Sequence, residues 1–162
     1  MRTALLALLL PALLTAQAAL FPLRIDQLTA PLQMLSASDR RIVDDALALI
    51  RDGRHRDAFS RLSELTKTHP ENSSLHIIAA YALLQAGNFV SALEEATRAH
   101  EAPNGNSYKC AFRAKVALLK GDTVTCQQEL DHIKKAGDQP AEVKQIEKDL
   151  KTARTAPGGA KR

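Results

Sequence analysis

From residue 40 onward the apolar positions follow a helical rhythm that is interrupted at regular intervals. Ile42, Val43, Ala46, Leu47 and Ile50 recur at the spacing of one helix face, with Asp44, Asp45 and Arg51 between and beyond them. The same rhythm predicts first helices over 40–51, 75–85 and 109–120, and second helices over 57–67, 90–100 and 123–135. Gly53, Gly87 and Gly121 separate the members of each pair, where a glycine can take the left-handed conformation that closes a helix. Pro70-Glu71-Asn72, Pro103-Asn104-Gly105-Asn106 and the stretch 136–140 break the chain between pairs. Val143, Ile146 and Leu150 then mark a last helix over 141–153, polar on its other faces, as the open end of a stacked array requires.

The three glycines stand 34 residues apart, and they set a register for their neighbours. Seven positions before them come Ala46, Ala80 and Ala114, and five after come Ala58, Ala92 and Cys126. Antiparallel helices approach closely only where the facing side chains are small, so these residues predict the contact within each pair. Leu62, Ala96 and Leu130, then Leu65, Ala99 and Ile133, continue the apolar face of the second helices. One such pair buries too little surface to be stable alone, and three stacked pairs make a continuous core.

With the turns Gly87-Asn88-Phe89 and Gly121-Asp122 and the segment Thr68-His69-Pro70-Glu71-Asn72, this register resembles the tetratricopeptide repeat. The resemblance covers 39–140 as repeats 39–72, 73–106 and 107–140. It departs from the family's pattern in its aromatic residues: Ile42, His76 and Cys110 stand where tryptophan is usual, and Leu49, Leu83 and Ala117 where tyrosine is. The closing proline survives only at Pro70. The resemblance implies an all-α fold, a right-handed α-solenoid of helix-turn-helix repeats with a C-terminal capping helix. It also implies that first helices line a concave groove faced or bordered by Val43, Leu47, Ile50, Ile77, Tyr81, Leu84, Ala111, Lys115 and Leu118. Family members that clamp a peptide's terminal carboxylate carry Lys, Asn and Arg where this chain has Val43, Leu47, Ile78, Tyr108 and Phe112, which speaks against that ligand. The mostly apolar lining leaves three readings: ordinary core, a groove covered by the preceding arm, or a docking site for a polypeptide.

The ends differ in character. Met1-Arg2-Thr3, the leucine and alanine run of 4–14 and Ala16-Gln17-Ala18 fit a signal peptide over 1–18, cleaved near Ala18 to leave a periplasmic or secreted protein. The rival is an uncleaved anchor over 4–23, which Pro11, Thr15, Gln17 and Pro22 oppose. Residues 19–38 read as an irregular arm cut by Pro22 and Pro31, with a short helix near 31–35 and Ser38 as N-cap of the first long helix. Residues 154–162 read as a disordered tail.

Composition adds little chemistry. The net charge of +4 is spread along the chain, a weak signal for nucleic acid, and no nucleic-acid partner is expected. Cys110 and Cys126 share one hairpin, where a disulfide is possible in an oxidising compartment. Lying eleven before and five after Gly121, however, they are out of register, and two buried thiols is the competing reading. The five histidines never pair at i, i+4, and no nucleophile or phosphate-loop motif occurs, so neither enzyme activity, nor a metal, nor a cofactor is expected. The expected function is a protein-binding scaffold of the bacterial envelope or of a secreted assembly, taking a protein or peptide partner. The alternatives are a membrane-tethered assembly factor, if the N-terminal segment is retained, and a binder of anionic surfaces through Lys109, Arg113, Lys115 and Lys120.

Overall fold

A computed structural model describes residues 22–137 and 140–155, and every regular element among them is helical. A 3-10 turn at Ile25–Gln27 and the short α1 (Thr29–Gln33) precede α2 (Ala37–Arg51), α3 (His55–Thr68), α4 (Ser73–Gln85), α5 (Phe89–Glu101), α6 (Tyr108–Lys120), α7 (Thr123–Ala136) and α8 (Val143–Thr155). Each of these long helices packs on the next, and α2, α4, α6 and α8 also touch in sequence, so they form one layer with α3, α5 and α7 in the other. The expected signal peptide lies outside the described residues, as does the expected tail beyond Thr155. No described helix is long and apolar enough to cross a membrane.

The glycine register becomes three copies of one backbone motif. Gly53, Gly87 and Gly121 have φ of 75°, 81° and 89°. After each, the next N–H reaches back to a carbonyl five residues earlier: Arg54 to Leu49, Asn88 to Leu83 and Asp122 to Ala117, at 2.8, 2.9 and 2.8 Å. The glycine N–H bonds the carbonyl three back in every case, which satisfies the last acceptors of the helix and turns the chain. Asn88 and Asp122 then cap the following helix, accepting from Ser91 and Thr125 N–H. The small residues sit at the closest contact: Ala46, Ala58, Ala80, Ala92, Ala114 and Cys126 are all fully buried.

Several boundaries move. Ser36, not Ser38, is the N-cap of α2: it alone has extended backbone there, and its Oγ accepts the Asp39 N–H at 3.1 Å. The short helix of the arm begins at Thr29 rather than Pro31, because a proline is tolerated throughout a first turn whose N–H groups have no intrahelical acceptor. The capping helix is shifted two residues toward the C-terminus, at Val143–Thr155. The arm itself is not loose, since Leu28, Pro31 and Leu35 are buried. Much of that surface lies on α4, which is buried nearly all round rather than along one stripe.

Two consequences of the turns are measurable. A Cβ built on Gly87 meets nothing within 4 Å, so Gly87→Ala acts through φ alone. It should cost about 1 kcal/mol and lower the melting temperature by about 2–4 °C. Hydrogen bonds from the Thr125 backbone and hydroxyl hold the Asp122 carboxyl below the ordinary aspartate range. A depressed carboxyl stabilises the fold above its unfolded pKa and loses that contribution as pH falls through the folded one. Asp122→Asn keeps the cap acceptor and should therefore flatten that part of the acid dependence, read by denaturant unfolding at about pH 7 and about pH 3.

Candidate functional site

The nine residues expected along a groove do not share one environment. Val43, Ile77, Leu84, Ala111 and Lys115 are buried, while Leu47, Ile50, Tyr81 and Leu118 are half-buried. The arm accounts for part of this. Its Arg24 N–H donates to Tyr108 Oη, Leu28 and Pro31 carbonyls accept from Ser74 Oγ and Asn72 Nδ2, and Gln27 accepts from Asn106. It thus runs across the N-terminal ends of α6 and α4. At the other end α8 covers α6, where Lys115 Nζ, 1% exposed, bonds Asp149 Oδ2 at 2.7 Å. Lys115 is therefore an internal tether, not a groove residue.

Three of the nine do converge. Leu47 and Ile50 of α2 and Tyr81 of α4 bound a hollow of about 580 Å³, closed on its other side by Leu23 and Ile25 of the arm. Asp44 and Arg51, two turns apart on α2, put one charge of each sign on its rim. Ile25 is exposed at the lip, and Tyr81 Oη accepts from Gln85.

A larger groove of about 890 Å³ lies between α3 and α5, but its lining is charged: Lys67, Glu71, Glu94, Arg98 and Glu101. At its base His76 and Glu95 are buried as a pair, Nδ1 to Oε2 at 2.7 Å, with the other ring nitrogen on the Pro70 carbonyl and Arg98 on the second carboxylate oxygen. Those polar atoms already have partners.

One repeat further on, 34 residues from His76 and Glu95, stand Cys110 and Glu129, and there the arrangement differs. His100 of α5 enters beside them, its Nδ1 at 3.5 Å from Cys110 Sγ and 3.2 Å from Glu129 Oε2. Arg113 holds Glu129 Oε1, while Oε2 is buried without a hydrogen-bond partner. Burial and the Glu129 carboxylate push the Cys110 thiol up to about 11. Burial, with the charges of Arg113, His132 and Lys109, holds the His100 imidazole below its ordinary range against the pull of Glu129. Spacing along a single helix could not reveal a group drawn from α5, α6 and α7. The signal available in the sequence was the 34-residue frame, which sets Cys110 on His76 and Glu129 on Glu95.

The cysteines are both free and buried, with Cys110 beside His100 and Cys126 packed in the second core cluster. Burial pushes the Cys126 thiol up to about 11 as well. Of the cations considered for an anionic surface, Lys109 donates to the Ala102 and Asn104 carbonyls, Arg113 to Glu129 and Lys115 to Asp149. Only Lys120 of that set is exposed. No protein-family model matches this chain, and no curated protein matches it.

The Lys115 tether has a testable asymmetry. Burial raises the Asp149 carboxyl, but hydrogen bonds from Lys115 and Gln145 outweigh that and hold it below the ordinary range. Asp149→Ala strands a buried ammonium and should cost about 3 kcal/mol, whereas Lys115→Met should stay within about 1 kcal/mol of the parent in urea unfolding.

Proposed function

We propose that this chain is a non-enzymatic protein-binding module of tetratricopeptide type, exported across a membrane, that takes an apolar stretch of an extended polypeptide into the hollow at Tyr81. The observation that carries the reading is the hollow itself. It is the place where residues of the expected groove, Leu47, Ile50 and Tyr81, remain accessible and meet apolar residues of the arm. An apolar floor with Asp44 and Arg51 on the rim suits a segment that offers one or two large apolar side chains and polar flanks. The charged groove between α3 and α5 is less suited, because the polar groups at its base are already paired.

The tetratricopeptide assignment and the right-handed stacking belong to this proposal. Three like turns at a 34-residue spacing, buried small residues in each pair and alternation of helices between two layers support the first, while the handedness rests on the resemblance alone. Export rests on residues 1–18. The anionic-surface alternative loses three of its four cations to internal bonds.

Tyr81→Glu should abolish recovery of a polypeptide partner from an envelope fraction while leaving the melting temperature close to the parent's. Val90→Glu, at an exposed apolar residue of α5, should retain the partner. Equal recovery by both variants would remove the hollow as the binding site. Leu84 is unsuitable for this experiment, since it is buried and a carboxylate there would unfold the chain.

A further inference from the structure

We propose that His100, Cys110 and Glu129 form a binding site for one divalent cation of borderline softness, zinc(II) above all. The site draws one donor from each of α5, α6 and α7, none of which lines the hollow at Tyr81, so it stands apart from the docking function.

Geometry is the first argument. Nδ1, Sγ and a Glu129 carboxylate oxygen all lie within 4.8 Å of one another. A tetrahedral zinc with ordinary bond lengths to nitrogen, sulfur and oxygen separates its N and S ligands by about 3.6 Å and its N and O ligands by about 3.3 Å. The corresponding separations here are 3.5 and 3.2 Å. The two separations that involve His100 thus match a metal's, the sulfur and oxygen lie within 4.8 Å of each other, and the mixture of imidazole, thiol and carboxylate is a zinc set.

The second argument comes from the neighbouring repeat, which serves as an internal control. At the equivalent positions His76 reaches Glu95 directly, and Thr66, the counterpart of His100, turns its hydroxyl to the Ser63 carbonyl. That site is closed by its own hydrogen bonds. In the third repeat the shorter Cys110 replaces the imidazole, and Glu129 Oε2 is buried with His100 Nδ1 at 3.2 Å and the Cys110 thiol beside it but with no well-formed hydrogen bond, although such an atom ordinarily finds a donor. Arg113 fixes the other oxygen and itself donates to Thr97, the kind of outer support that orients a ligating carboxylate.

Binding converts the Cys110 thiol to a metal-bound thiolate and releases its proton to solvent; Glu129 and His100 bind without proton loss, as carboxylate and neutral imidazole. His100 is the partly exposed member of the three, so water would complete the coordination from its side.

Cobalt(II) titration of the purified full chain, under a thiol-free reductant, tests the site. One equivalent should produce a thiolate-to-cobalt charge-transfer band, and one equivalent of zinc(II) should erase it. Cys110→Ser should abolish the band, and Cys126→Ser should keep it, which separates the site from the other buried thiol. Arg113→Gln, which leaves all three donors in place, should weaken zinc affinity by about 10-fold to 100-fold. Should Cys110→Ser fail to fold, His100→Gln, at the partly exposed donor, carries the same expectation of lost affinity. No band at one equivalent with the parent chain, or a band that survives in folded Cys110→Ser, overturns the proposal.

Discussion

Within each helix pair the two backbones come close because small side chains meet at a fixed distance from a left-handed glycine. Everything else in the architecture is arranged around that contact. Ala46 and Ala58, Ala80 and Ala92, and Ala114 and Cys126 are all wholly buried at these positions. Because the turn and the contact share one period, each pair emerges with the same geometry and presents the same faces to the next. Bulk is pushed to the flanks, where Leu62, Leu65, Leu130 and Ile133 build the interior.

The helices and their pairing were legible in the sequence because both depend on local periodicity. Boundaries were less so: choosing Ser36 over Ser38 depends on which serine takes extended backbone, and both are plausible caps by residue type. The lining of the groove was read from register alone, and register says which face a residue is on, not what lies over that face. Val43, Ile77 and Leu84 belong to a core completed by Leu28 and Leu35 of an arm that has no helical period to announce it. Lys115 illustrates the same limit, since its partner Asp149 sits on the capping helix. The cluster at Cys110 was half visible. Laid in the 34-residue frame, Cys110 falls on His76 and Glu129 on Glu95, so a recurring polar pair could have been seen; His100, arriving from the previous repeat, could not.

Buried polar pairs divide the labour between repeats. His76–Glu95 occupies a position where an apolar residue, Ile42, serves in the first repeat, so the fold does not require it. What such a pair adds is discrimination: a shifted helix would bury its polar groups unpaired. Lys115–Asp149 joins α6 to α8 in the same way.

The arm also changes how the molecule holds together as a whole. In an array whose units touch only their neighbours, order is lost from either end, one unit at a time. Here Arg24 reaches Tyr108, 84 residues away, and Glu142, 118 residues away, while Leu28 and Pro31 are bonded to α4. The first described segment is thus tied to α4, to α6 and to the turn that leads into the last helix. The turn before α8 supplies a partner to the arm, and lifting the arm uncovers α4, so a strap joins the two ends in addition to the stack. Such contacts, far apart in sequence, are slow to form, and they link stretches of the chain that a stack of neighbours alone would leave apart.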